Sequence, residues 1–385
     1  MSKNKRIVAR PFPTTPDMSV SAITARFCHG IAQFSGDDAA PCPDEDDILV
    51  MLGADFAAAN GLDDDEDDGA SPNLPSGWKR AAHRAVRFVQ RRNALLDRHL
   101  AHLNAADSKL IRAVIGRGTF AGVVTQHQMH ERIAALHEDA PWMQPASVAV
   151  MHAMNRATRT GAAGLTMPPL ILSGPPGVGK SQWARSLARL FRVPVVDIDI
   201  GASNGATFAL SGTERGWGSA APGRLVGTML QTQIANPLVI VDELDKIPDA
   251  VSTNKGTSLP GAVEVLKSMI EPTTARHWTC PYYRVPFDMS SVNWVMTTNS
   301  TAALSQALLD RCTLIELRDP TTEELACVAR KHIRASLPDD MHGIANDLVR
   351  GALRQRQAAC KRTSLRQLAR MIQAVTDLSD VRVFQ

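Results

Sequence analysis

A chain of 385 residues has room for two or three modest domains, and at 44% hydrophobic and 21% charged it can bury a sizeable core. No apolar run reaches the ~18 residues of a membrane-spanning helix, and no apolar segment of the secretory kind follows the basic start Met1 to Arg6. The 6 cysteines form no CxxC pair and no disulfide-scaffold density, so the expected location is a reducing cytoplasm, with no membrane partner.

The net charge of +3 conceals a strong asymmetry. Between Arg26 and Lys79 there is no Lys or Arg, while acids crowd at Asp37, Asp38, Asp44 to Asp47 and Asp63 to Asp68. Together with Pro41, Pro43, Pro72 and Pro75, this composition predicts an acidic disordered tail over residues 1–77. Within the tail, the apolar run Ile48 to Leu52 is a candidate docking element. Cys28, His29 and Cys42 lack the second ligand pair of a zinc site.

The sign then reverses. From Lys79 to Arg117 the only acids are Asp97 and Asp107. Val86, Val89, Leu96, Leu100 and Leu103 recur at near-helical spacing, with Phe88 and Leu95 beside the stripe. The pattern predicts a basic helical region over residues 78–139. Its outer face could be solvated, pair with the tail, bind a partner or contact nucleic acid; the lack of interleaved aromatics makes nucleic acid the less favoured reading. His127, His130 and His137 fall on a predicted helix as surface residues rather than metal ligands.

The chemistry begins at Gly174, Pro175, Pro176, Gly177, Val178, Gly179, Lys180 and Ser181. The apolar run Leu170 to Leu172 precedes this loop and a helical stretch from Ser181 to Leu190 follows it, the order that a phosphate-binding loop requires. Glycines let backbone N–H groups turn towards phosphates, and the helix N-terminus adds partial positive charge. Lys180 would reach the β- and γ-phosphates of ATP, and the Ser181 hydroxyl would hold Mg²⁺.

The next strand, Pro237 to Val241, is apolar throughout, as a strand buried on both faces must be, and ends in Asp242 and Glu243. Ligands of open α/β sheets lie at such carboxyl ends. Asp242 is the expected Mg²⁺ partner and Glu243 is placed to orient or deprotonate an attacking water. A third strand, Val292 to Thr298, delivers Asn299 to the same edge, where its amide can hydrogen-bond that water or the γ-phosphate. Leu308, Leu309, Asp310 and Arg311 precede a last strand, Thr313 to Leu317; an Arg there can serve as an arginine finger.

These landmarks, in this order, closely resemble the ATPase module of the Lon family of AAA+ proteins. The resemblance runs from about Pro141 to about Val375 and includes the segments Ala235 to Pro248 and Ser211 to Leu225. It implies an α/β AAA+ core with a parallel sheet flanked by helices over residues 140–318, then a small all-α lid over residues 319–385. It also implies that Lys180 and Ser181 are Walker A, Asp242 and Glu243 Walker B, Asn299 sensor 1, Arg311 a finger reaching a neighbouring subunit, and Arg366 sensor 2 on the lid. Trp217 stands where the family grips polypeptide, although Gly218 replaces an aliphatic residue, and the stretch around Arg276, His277 and Trp278 resembles a second pore loop. A homo-oligomeric, hexameric ring is implied.

The resemblance departs at both ends. The family's serine–lysine protease domain follows the lid, whereas this sequence stops 15 residues after Arg370, so peptidase activity is not expected of it. The first 110 residues resemble no substrate-collecting domain. The expectation is an ATPase that remodels or unfolds protein substrates with ATP and Mg²⁺, and a separate protease or partner subunit is left open. The alternative is an ATP-switched module that binds nucleic acid or a complex through the basic helix.

Overall fold

The computed structural model describes residues 76–115, 118–122, 125–162, 164–199, 206–215, 220–246, 251–252, 258–259 and 261–382. The acidic segment expected to be disordered, the Cys28, His29 and Cys42 group, and Trp217 lie outside the described residues. The described residues fall into two compact units, one ending before residue 118 and the other starting there.

In the first unit the basic stretch forms α1 (Ser76–Leu100) and α2 (Ala105–Val114). The side chain of Asn104 caps α2 by accepting from the Asp107 N–H at 2.8 Å. Arg112 pairs with Asp97 and ties α2 back to α1. Ala85, Leu96, Leu100, Ile111 and Val114 are buried, whereas Phe88 and Leu95 of α1 are exposed.

The second unit starts with α3 (Gln126–Asp139) and α4 (Gln144–Arg159), followed by β1 (Leu170–Ser173), α5 (Lys180–Phe191) and β2 (Val195–Asp199). Next come α6 (Ala206–Ser211), α7 (Arg224–Thr232), β3 (Leu238–Asp242), α8 (Ala262–Ile270) and α9 (Pro272–Ala275). The core closes with β4 (Asn293–Thr298), α10 (Gln306–Leu309) and β5 (Thr313–Glu316). These five strands make one parallel sheet in the order β2-β3-β4-β1-β5. The register puts Ser173 beside Thr298 and Asp199 beside Asp242, so the polar strand ends meet on one edge. β3 and β4 are the most thoroughly buried strands, which explains their continuous apolar runs. Met129, Ile133 and Leu136 of α3 pack with Trp183, Leu187 and Phe191 of α5 on one face of this sheet.

Three further helices, α11 (Thr322–Ser336), α12 (His342–Ala358) and α13 (Leu365–Arg382), enclose a separate small core built on Leu325, Ile333, Val349, Leu353 and Leu368. α11 begins with a capping box between Thr321 and Glu324. Arg318 donates two hydrogen bonds to the Glu324 carboxylate, at 2.7 and 2.6 Å, and holds its pKa below the usual carboxylate range.

Two buried asparagines secure the opposite, amino-terminal edge of the sheet. Asn236 is fully buried; its Nδ2 donates to the carbonyls of Ala121 and Leu165 at 2.9 and 3.0 Å, and its Oδ1 accepts from the Ala121 N–H at 2.9 Å. Asn293 donates to the carbonyls of Leu165 and Asn236, both at 3.1 Å, and accepts from the Met167 N–H at 3.1 Å. Asn236→Leu keeps the number of side-chain heavy atoms but removes three hydrogen bonds. It strands the Ala121 N–H, at about 1–3 kcal/mol for a buried group without a partner, while the Ala121 and Leu165 carbonyls keep the Leu165 N–H and Asn293 as donors. Urea unfolding of this variant is expected to show a loss of about 3 kcal/mol.

Candidate functional site

The loop from Gly174 to Gly179 turns between β1 and α5 in a conformation that its glycines permit. Gly177 and Gly179 have φ of +80° and +92°, which L side chains rarely adopt. A Cβ on Gly177 would stand 2.8 Å from Cβ of Ser364, and one on Gly179 would stand 2.7 Å from Cδ1 of Leu365, so the start of α13 lies directly on the loop.

Every loop carbonyl from Gly174 to Val178 has a donor. Lys180 Nζ donates to the carbonyls of Gly174 and Pro175 at 2.6 and 3.2 Å. Arg362 donates to the Pro176 carbonyl at 2.7 Å, the Leu365 N–H to that of Gly177 at 3.0 Å, and the Trp142 indole N–H to that of Val178 at 2.8 Å. Five consecutive carbonyls are thus engaged. The first N–H groups of α5 have no partner within their own helix. A glycine loop whose carbonyls are held by donors, with free N–H groups at a helix start, is an anion cradle.

Lys180 also donates to Asn299 Oδ1 at 3.0 Å, which joins the loop to the end of β4. Burial pushes its pKa below that of an ordinary lysine and Arg362 adds to the effect, while Asp245 and Asp242 oppose it. Ser181 Oγ donates to Asp242 Oδ1. That oxygen also accepts from the Thr297 hydroxyl at 2.9 Å, and the Thr297 oxygen accepts from the Glu243 N–H at 3.3 Å. Ser181 and Asp242 are therefore in contact, as two oxygen donors for one hard cation would be. Two such oxygens could hold a Mg²⁺ that takes its remaining ligands from phosphate and water, and among the described residues no group of three or more His, Cys, Asp or Glu is placed to hold a metal ion.

Glu243 sits just past the end of β3 with a left-handed backbone, φ +60°, and its carboxylate pairs with Lys246 at 2.7 Å. Arg311 is held within its own chain by Glu271, with Nε to Oε2 at 2.7 Å, and by the Ala307 carbonyl. Arg366 is exposed on the first turn of α13, while Arg362, four residues earlier, is the lid arginine that touches the loop. Trp278 is buried in a two-strand hairpin against Phe287, leaving Arg276 and His277 exposed. Between α5 and the lid lies an apolar cleft of about 700 Å³, lined by Gly179, Gln182, Trp183, Val328, Leu368 and Ile372.

The sequence reading missed Trp142, Thr297, Arg362 and Asp319, the last of which accepts from Arg362 Nε at 2.6 Å. Thr297 carried a weak signal, as a hydroxyl residue next to the last position of an apolar strand. The other three act over long sequence separations and leave no local pattern.

Residues 170–319 match the family described as ATPase family associated with various cellular activities (AAA). The chain is 30% identical over 218 residues to the mitochondrial Lon protease homolog of Yarrowia lipolytica, covering 55% of this chain and 18% of that protein. It is 35% identical over 175 residues to Lon protease 4 of Sorangium cellulosum, covering 45% and 20%. The chain carries a Lon-like AAA+ module. It spans about a fifth of the length of these Lon relatives. Closed-state Hsp104 with ATPγS and FITC-casein shares the fold of the AAA+ module, with a TM-score of 0.51 at 15% identity over 95% of this chain and 60% of that one.

Thr297 links the side chain of Asp242 to the backbone of Glu243 in the AAA+ module. Thr297→Val should lower ATP turnover about tenfold while leaving nucleotide affinity within twofold, the size expected for losing a hydrogen bond to a charged group. Steady-state hydrolysis and equilibrium binding measured on the same preparation check both halves.

Proposed function

We propose that this chain hydrolyses ATP as one subunit of a ring and uses the energy to remodel or unfold protein substrates. The observation that carries the proposal is the meeting of Lys180, Ser181, Asp242 and Asn299 around one glycine loop at the carboxyl edge of the sheet. In this reading the loop's N–H groups and Lys180 bind the β- and γ-phosphates, and the apolar cleft beside Gly179 and Gln182 takes the base. Mg²⁺ held at Ser181 and Asp242 would neutralise developing phosphate charge.

Asn299 fixes the Lys180 ammonium and can share the γ-phosphate with it. Glu243 leaves Lys246, orients water for in-line attack and receives its proton. Arg311 exchanges Glu271 for the phosphates of a neighbouring subunit, which makes the ring part of the active site. Arg366 faces the same phosphates from the lid once ATP draws the lid inward. Lid motion then moves Trp217 and the stretch around Arg276 and His277 along a polypeptide. The proposal assigns no peptide-bond cleavage to these residues, and a separate protease is compatible with it. The likeness to Lon relatives and to the fold of Hsp104 supports the same reading.

A second reading rests on Arg84, Arg87, Arg91 and Arg92 of α1, the first three of which are exposed. There, ATP state gates binding to nucleic acid, with steep salt dependence that is lost when these arginines are neutralised.

Two experiments test the proposal. Glu243→Gln should keep ATP binding within about threefold and lose turnover by at least about 10³-fold; retained hydrolysis would remove Glu243 from its role. Arg311→Ala subunits should be inactive alone but should regain turnover when mixed with Glu243→Gln subunits, because each supplies what the other lacks at a shared interface. The Glu243→Gln protein, loaded with ATP in a lysate, also separates the two readings. Bound polypeptides that survive nuclease and are absent from a Lys180→Ala control support remodelling, whereas material lost to nuclease supports the switch.

A further inference from the structure

The outer donors of the phosphate loop are divided unevenly between core and lid. Trp142 belongs to the core, but Arg362 and Leu365 both lie where the chain passes from α12 to α13. Arg362 acts as a fork. Its Nη2 donates to the Pro176 carbonyl at 2.7 Å, and its Nε donates to Asp319 at 2.6 Å. Asp319 lies between β5 and α11, where the chain enters the lid. The Arg362 carbonyl in turn accepts from Arg356 at 2.7 Å, so the backbone carrying the fork is itself braced. One guanidinium therefore joins the phosphate loop, the way into the lid and the last lid connection.

A trans peptide is a rigid plane whose C=O and N–H point in opposite directions. The chain has no cis peptide among the described residues, so the Pro176 carbonyl and the Gly177 N–H are the two ends of one such plane. Holding the carbonyl outward aims the N–H into the cradle. This hold is needed because Gly177, at φ +80°, has no side chain to resist a flip of that plane. A lysine cannot replace the fork, since its single ammonium lacks the planar pair of N–H directions that reaches two acceptors.

We propose that Arg362 is a positioning residue that sets the phosphate-binding conformation of the loop from its outer side, and thereby ties nucleotide affinity to the orientation of the lid. The role differs from that of Arg366, and it rests on the reading that the loop binds nucleotide phosphates.

The test uses the full chain with ADP and ATP as probes. Arg362→Gln and Arg362→Lys are both expected to weaken ADP about tenfold, the equivalent of one hydrogen bond to a charged donor. KM for ATP should rise by a similar factor, with kcat at saturating ATP within about twofold and the melting temperature without nucleotide unchanged. Arg366→Gln should show the opposite split, with ADP affinity kept and kcat reduced. Asp319→Asn should weaken ADP in the same direction and add nothing when combined with Arg362→Gln.

Wild-type ADP affinity in Arg362→Lys, or a fall in kcat with KM unchanged, would overturn the proposal. Should the Arg362 variants lose their fold, Asp319→Asn decides, because it keeps the arginine and removes only its anchor. Wild-type protein that binds no ADP would instead remove the phosphate-site reading itself, so the two failures are distinguishable.

Discussion

A phosphate loop must turn its carbonyls away from the ligand, and every carbonyl turned outward into protein needs a donor there. This requirement organises the AAA+ module. The turn before α4 brings the Trp142 indole to the Val178 carbonyl and the lid supplies donors for those of Pro176 and Gly177, while Lys180 occupies the first two carbonyls with the ammonium proposed to serve the phosphates. The sheet holds β1 and β4 side by side, so Asn299 can meet the same lysine from the neighbouring strand. The lid is thus part of the loop's construction as well as a cover for the cleft beside it.

The same edge balances its charges at close range. Lys180 is desolvated and lies within the influence of Asp242 and Asp245 on one side and Arg362 on the other. Asp245 accepts from the Thr298 hydroxyl and the Asn299 N–H, at 3.2 and 3.3 Å, so it fixes the end of β4 as well as compensating the ammonium. Arg185 stands 3.8 Å from Asp242 and 2.9 Å from Asp197, linking the acid at the end of β3 to β2. Nucleotide phosphates would enter a site whose acids and bases already hold one another, and binding becomes an exchange of partners.

Much of this was legible in the sequence, for physical reasons that differ from element to element. β1, β3 and β4 read clearly because strands buried on both faces are apolar at every position, and the glycines read clearly because few other residues tolerate the loop's backbone. The lid reads as all-α from its resemblance, and α11, α12 and α13 fill it, the last running on to Arg382. Long-range donors were not legible. Trp142 lies 36 residues before the carbonyl it serves and Arg362 lies 186 after its own, and an Arg beside Lys361 looks like any surface basic pair. Arg366 has a recognisable motif position, whereas Arg362, four residues before it, has none. Asn236 and Asn293 were invisible for a similar reason, since a buried asparagine has no period and is defined only by the backbone around it.

The left-handed backbone at Glu243 carries a consequence of its own. Side chains with a Cβ meet a steric penalty of roughly 1 kcal/mol in that region, and glycine or asparagine would occupy it at lower cost. Position 243 is therefore one at which the residue favoured by folding and the residue favoured by the proposed chemistry differ. A sequence drifting under selection for stability alone would lose its carboxylate here and gain robustness by doing so. An inactive descendant of this module would be recognisable first at this site, by a small residue sitting comfortably in a conformation that Glu243 adopts under strain.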